Sequence, residues 1–176
     1  MKAYYTVGLY RRTTMSILAI TALGLALLPS GAVSQQKSMK EELLGAWSLV
    51  SFQLVRPDGS KQSTFGADPK GIAFFDVGGH YIITVMRSDR PKYAINNFTE
   101  GTAEENKATA QGIMIYFGTY SVSEADRTIA IHIDGSSFPN WNGADQKRIF
   151  AITGDQLKLT APVAFGTAEV VWKRAQ

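Results

Sequence analysis

The sequence contains no cysteine among its 176 residues. This absence excludes disulfide bonds, thiol catalysis, thiolate-ligated metals and lipid attachment at an N-terminal cysteine. Only two histidines are present, His80 and His132, and they do not have the H-x-x-x-H spacing of a metal site. We therefore expect neither a metal nor a bound cofactor, and stability must come from an apolar core.

The first 32 residues have the pattern of a secretory signal peptide. Lys2, Arg11 and Arg12 precede an apolar run from Ile17 to Leu28, and small residues at 29–32 follow it. The run is shorter than the roughly 20 residues that span a bilayer. We expect cleavage after Ala32 or, alternatively, after Ser34, export to the periplasm or the medium, and no stable membrane span afterwards.

Removal of this leader also removes the charge excess. The chain has 18 Lys+Arg and 15 Asp+Glu. Three of the cations and none of the acidic residues lie in the leader, so residues 33–176 carry fifteen of each sign. A neutral domain does not attract nucleic acid or anionic lipid, and we expect neither as a partner. Motifs for a nucleophile elbow, a phosphate loop or paired catalytic carboxylates are also absent, which counts against hydrolase and nucleotide chemistry.

Residues 33–176 form one domain by length, and short turn signals divide them into strands. Glycine- or aspartate-containing turns lie near residues 58, 78, 125 and 154, between runs rich in β-branched and aromatic residues. Eight strands are predicted near 46–56, 70–76, 80–87, 113–123, 127–134, 145–153, 155–161 and 168–174.

The capping box Thr102…Glu105 predicts one helix over Ala103 to Gln111, which we interpret as a lid or plug at a barrel end. Eight antiparallel strands joined by hairpins favour an up-and-down barrel, because closure removes exposed sheet edges. Such a barrel is filled by side chains or holds one small ligand.

Several segments carry a family resemblance. Gly45-Ala46-Trp47 looks like the lipocalin G-x-W signature, and Trp172-Lys173-Arg174 looks like its closing strand. The ordered segments at 56–59, 86–91, 116–120 and 137–141, the last followed by Asp145-Gln146, resemble the bacterial and fungal lipocalin-like domain family. The resemblance implies a calycin-type barrel that binds a small, largely hydrophobic molecule. It implies a structural role for Gly45, Trp47, Trp172 and Arg174 at the closed end.

The loop at 136–143 and an aromatic set are candidates for ligand contact. Phe138, Asn140 and Trp141 could offer an aromatic wall and an amide at the barrel rim, or could plug the barrel end. Further candidates are the side chains of two other strands, Tyr81, Met86, Tyr116 and Tyr120, for which a core role is the alternative. Both faces of the strand at 80–87 are largely apolar, so periodicity does not separate inside from outside there.

His132 and Arg148 are the candidates for chemistry. His132 lies in the cavity if Ile129, Ile131 and Ile133 face outward, and on the exterior if they face inward. Arg148 shares a face with Gln146, and an arginine inside a barrel requires a carboxylate from the protein or an acidic or carbonyl group from a ligand.

Three functions follow from these candidates. The first is an exported protein that binds a small hydrophobic molecule bearing a carboxylate or carbonyl. The second is an isomerase- or cyclase-type enzyme in which His132 and Arg148 move a proton. The third is a structural or protein-interaction barrel with a filled interior.

Overall fold

The computed structural model describes Met1 and residues 37–176. In order, its elements are α1 Met39–Leu43, β1 Gly45–Val55, β2 Lys61–Ser63, β3 Lys70–Phe75, β4 His80–Met86, α2 Ala103–Gln111, β5 Ile113–Ser123, β6 Thr128–Ser136, a 3-10 helix at Pro139–Trp141, β7 Asp145–Thr153, β8 Gln156–Val163 and β9 Gly166–Arg174. The proposed leader lies outside the described residues, apart from Met1. Among the residues described, no helix is long and apolar enough to cross a membrane.

Eight of these strands form a closed antiparallel barrel. Each pairs with its neighbour from β3 through β9, and β1 closes the ring by pairing with both β3 and β9. The predicted up-and-down barrel is confirmed. The prediction missed β2, a short strand of exposed residues that pairs only with β1, because three polar residues carry no apolar alternation.

The core fills the half of the barrel at which β1 begins and β9 ends, which we call the closed half. Alternate side chains of each strand face inward and are buried, as the two-residue period of a strand requires. The fully buried side chains of this half include Leu43, Trp47, Phe75, Ile129, Phe150 and Leu157.

A tryptophan–arginine contact closes this end. The Arg174 guanidinium lies 3.9 Å from the centre of the Trp47 ring, and its nitrogens donate to the Glu42 and Leu44 carbonyls at 2.6 Å each. Trp47 Nε1 donates to the Leu43 carbonyl at 2.8 Å. Gly45 has a φ of +100°, a conformation that residues with a Cβ rarely adopt. These contacts fasten α1 across the barrel end.

The opposite end carries the longer connections. The capping box of α2 is formed, with Thr102 Oγ1 accepting from the Glu105 amide at 3.2 Å, and the helix has the predicted bounds. However, α2 packs against β5 and buries none of its side chains. Of the two interpretations of α2, the plug is wrong, since a plug would bury an apolar face in the barrel, and the lid stays a prediction.

Candidate ligand-binding cavity

A cavity of about 580 Å³ occupies the open half of the barrel. This volume lies within the range of roughly 300–1,000 Å³ that is typical of small-molecule sites. Its walls are mostly apolar and include Phe52, Ile83, Val85, Met114, Leu159, Val170 and Trp172. Of the two alternatives for the barrel interior, the open one is observed in this half, and the filled interior is not.

Small side chains on β8 and β9 leave the space. Ala161 pairs with Ala168 across these two strands, and both line the cavity. Two positions along, on the same inward face, Leu159 pairs with Val170, and both line the cavity as well. Sequence analysis did not single out these residues. The inward alternation of Leu157, Leu159 and Ala161, with the residue size falling towards the open end, was the signal that could have identified them.

Arg148 places a positive charge on this apolar wall. It lines the cavity together with Gln146, because alternate residues of β7 face the barrel interior. Its Nη2 donates to Gln146 Oε1, and its Nη1 donates to the Lys147 carbonyl at 3.2 Å. Within the described part of the chain, no carboxylate oxygen lies within 4 Å of this guanidinium. The guanidinium thus has amide oxygens as acceptors and no counter-charge among the described residues.

Tyr116 provides a neutral hydroxyl next to this charge. The residue is buried on β5 and lines the cavity. Burial raises the pKa of the Tyr116 phenol, and the nearby positive charge of Arg148 opposes part of that rise. The phenol is thus protonated at neutral pH. Tyr81 lies behind it, with the two rings edge to face at 5.9 Å, and burial raises the pKa of Tyr81 too.

Trp141 lines the mouth of the cavity. It belongs to the 3-10 helix between β6 and β7, and its ring meets those of Tyr116 and Phe138 edge on, at 5.5 Å and 5.8 Å. Phe138 and Asn140 are exposed and do not line the cavity. Of the three rim candidates, the structure brings only Trp141 to the site, with Phe138 as its outer support.

His132 lies on the outer surface of the barrel. Its Nδ1 is 2.8 Å from Asp145 Oδ1, and its Nε2 is 3.8 Å from Asp134 Oδ1. The neighbouring isoleucines Ile131 and Ile133 are buried inside. Of the two placements that the sequence allows, the structure shows the exterior one, because the alternation of β6 directs the isoleucines inward. The candidate assignment of His132 to the ligand site beside Arg148 is therefore corrected.

Three further candidates do not line the cavity. Met86 follows the inward-facing Val85 and contacts Arg90, whose Nη2 lies 3.4 Å from its sulfur. Tyr120 is buried towards the closed end, where its hydroxyl donates to the Asp76 carbonyl at 2.7 Å. Tyr81 reaches the site only through its contact with Tyr116. Among the four aromatic and sulfur candidates of β4 and β5, the structure places Tyr116 alone on the cavity wall.

Comparison with known proteins identifies the family of this barrel. A family model described as a lipocalin-like domain matches residues 44–175. The chain belongs to the lipocalin-like domain family. A curated relative of this lipocalin-like chain is the 4'-hydroxy-3'-methoxypropiophenone carrier protein of Aspergillus oryzae, which is 32% identical over 82 residues, covering 43% of this chain and 74% of the relative.

Solved structures similar to this lipocalin-like domain are more distant in sequence. A lipocalin-like protein from Bacteroides uniformis is 16% identical, with 76% of this chain and 99% of that one covered at a TM-score of 0.44. The wild-type fluorescent protein UnaG is 13% identical, with 78% and 100% covered at a TM-score of 0.39.

The wall of this lipocalin-like cavity offers mainly hydrogen-bond donors. Arg148, the Gln146 amide and the Tyr116 hydroxyl lie on it, and no carboxylate or histidine side chain of the described residues does. Such a set suits an oxygen acceptor on a bound molecule. It offers no carboxylate or imidazole base that would abstract a proton from that molecule.

Proposed function

We propose that this protein binds and carries a small, largely apolar molecule whose acidic or carbonyl oxygen accepts hydrogen bonds from Arg148. The observation that carries the proposal is the Arg148 guanidinium on an apolar cavity wall without a carboxylate partner among the described residues. A partly buried cation without a counter-charge loses part of its hydration, and a ligand oxygen would offset that cost.

The aromatic side chains that line the cavity favour a ligand with an aromatic ring. Trp141, Tyr116 and Trp172 lie on its wall, and aromatic side chains pack favourably against a flat ring. The Aspergillus oryzae relative is named as a carrier of 4'-hydroxy-3'-methoxypropiophenone, and that compound combines an aromatic ring with a ketone and a phenol. We propose aryl ketones, phenols and aryl acids as the ligand class of this chain.

A matched pair of ligands tests the role of the charge. We would titrate the protein with 1-naphthaleneacetate and with its neutral amide, following the fluorescence of the cavity tryptophans Trp141 and Trp172. Arg148→Met keeps an unbranched apolar stem and removes the charged guanidinium. Because a hydrogen bond to a charged group contributes about 1.5–3 kcal/mol, we expect acetate affinity to fall by roughly 10- to 100-fold and amide affinity to fall less.

The control for this titration is Arg56→Met. Arg56 is exposed beyond the end of β1, and its Nη2 donates to Gln62 Oε1 at 2.6 Å, away from the cavity wall. We expect both affinities to be unchanged in this variant. If Arg148→Met and Arg56→Met bind the acetate equally well, the proposed role of Arg148 is wrong.

We also propose that the protein acts after export, in the periplasm or outside the cell. The support is the pattern of the first 32 residues, in which cations precede an apolar run and a small-residue cleavage site. N-terminal sequencing of protein from the host's extracytoplasmic fraction should begin at Val33 or Gln35. Recovery of the chain only from the cytoplasm and beginning at Met1 would contradict this proposal.

A further inference from the structure

The outer surface of β3, β4 and β5 is apolar, although it lies outside the barrel. Phe74 pairs with Ile82, which pairs with Phe117, so the three side chains form one row across the strands. Ile72 and Ile115 lie in the adjacent row, on either side of Thr84. We call these five apolar residues, Ile72, Phe74, Ile82, Ile115 and Phe117, the exterior apolar patch.

The patch is exposed and contains no charge. Between 38% and 49% of Ile72, Phe74, Ile82 and Phe117 is accessible to solvent, and Ile115 is half-buried. The outward positions of β6 and β7, in contrast, include polar and charged residues, namely His132, Asp134, Asp145 and Lys147. Since a barrel wall normally alternates apolar and polar residues, the patch departs from the pattern that the other side of the same barrel follows.

The patch reaches the backbone of β6. A Cβ added to Gly135 would lie 2.6 Å from Phe117 Cζ, which shows that the Phe117 ring lies against the backbone of β6. The pairing of Phe117 with Gly135 extends the row onto a fourth strand. An exposed apolar sheet surface is the kind that packs face to face against another sheet, at a spacing of about 10 Å.

From these observations we propose that the exterior apolar patch is the interface of a homodimer, in which two copies of the chain pack sheet against sheet. A face without charges brings no like charges together when it meets a copy of itself. If each of its four most exposed side chains contributes about 100 Å², the exposed apolar area of the patch is on the order of 400 Å². A standard interface buries roughly 800 Å² per partner, of which a little over half is apolar.

Polar residues at the edge of the patch would supply the rest of the interface area on each partner. Ser48 and Thr84 lie in the row of Ile72, while His80 and Thr119 lie one row beyond Phe117 towards the closed end. They would form the polar rim that surrounds the apolar centre of an interface. The cavity mouth lies at the end of the barrel rather than on this side, so both mouths of the dimer stay open. The dimer and the proposed ligand binding are independent claims.

Sedimentation velocity of protein purified after expression of the full chain tests the proposal. We expect the mass of a dimer at micromolar concentration. Phe74→Lys and Phe117→Lys each place a charge at the centre of the interface and should raise the dissociation constant at least about 100-fold. Ile149→Lys is the matched control, because Ile149 is an equally exposed apolar residue on β7, outside the patch. This control should remain dimeric.

A cross-linking experiment tests the same face without introducing a charge. The chain has no cysteine, so Ile82→Cys and Ile149→Cys each supply a single thiol. A bifunctional thiol reagent about 10 Å long should link two copies through position 82 and not through position 149. The proposal is overturned if the protein is a monomer at all concentrations, whether or not that monomer sediments with lipid vesicles. It is also overturned by a dimer that persists in both lysine variants of the patch, or by cross-links through position 149 alone.

Discussion

Arg148 and His132 lie on opposite faces of the same pair of strands. Arg148 lines the cavity, whereas His132 Nδ1 is 2.8 Å from Asp145 Oδ1 on the outer surface. Arg148 pairs across the sheet with the inward-facing Ile129, and His132 pairs with the exposed Asp145. The two candidates for chemistry are thus separated by the barrel wall, and only Arg148 can contact a molecule inside it.

This separation predicts that His132→Gln leaves ligand affinity unchanged. The substitution removes ion pairs on the exposed surface, which contribute at most about 1 kcal/mol to stability. Titration with 1-naphthaleneacetate should give the wild-type affinity within about twofold, a difference of about 0.4 kcal/mol. A tenfold loss with an unchanged fold would mean that the imidazole takes part in binding.

The closed end of the barrel should depend on Arg174. Arg174→Met removes two hydrogen bonds to backbone carbonyls and the contact with the Trp47 ring. We expect the free energy of unfolding to fall by about 2–4 kcal/mol, as measured by urea denaturation.

Lys173→Met is the matched control for Arg174. The neighbouring lysine is exposed and lies 3.4 Å from Asp155, so its loss should cost at most about 1 kcal/mol. Equal effects of the two substitutions would show that the Trp47–Arg174 contact does not stabilise this end.

The turn between β3 and β4 should make stability depend on acidity. Asp76 Oδ1 accepts from the His80 amide at 2.7 Å, and its Oδ2 lies 3.0 Å from His80 Nδ1. These hydrogen bonds favour the carboxylate and lower the pKa of Asp76 below its ordinary value of 3.8. Because the pKa is lower in the folded state, this stabilisation is present above pH 3.8 and is lost as the pH falls through the folded-state value.

Asp76→Asn isolates that contribution. The stability difference between wild type and variant, from urea unfolding at several pH values, should shrink as the pH falls below the ordinary pKa of about 4. A difference that grows on acidification would have the wrong sign for a lowered pKa.

The fold could be predicted because its signals are local. The turns near residues 58, 78, 125 and 154 delimit strands, and Thr102 and Glu105 delimit α2. The direction of each strand face was harder to predict. On β6, isoleucines alternate with Ala130 and His132. This alternation alone does not show which of the two faces points into the barrel.

Two features of this chain weaken the usual rule that apolar residues face inward. The exterior of β3, β4 and β5 is apolar, so neither face of β4 could be assigned from periodicity. In addition, β7 directs the charged Arg148 inward and the apolar Ile149 outward, the reverse of what burial alone favours. The side of each residue is settled only when all eight strands close into one ring.

The most direct test of cavity binding is a calorimetric titration of two tryptophan substitutions. Ala161→Trp fills the cavity, because Ala161 is 5% exposed and lies on its wall. Ala151→Trp adds the same side chain to the exposed face of β7. With 4'-hydroxy-3'-methoxypropiophenone as the probe, and with cooperative thermal unfolding of both variants confirmed first, we predict that Ala161→Trp loses measurable binding and Ala151→Trp keeps the wild-type affinity. Equal binding by both variants would contradict a ligand site inside the barrel.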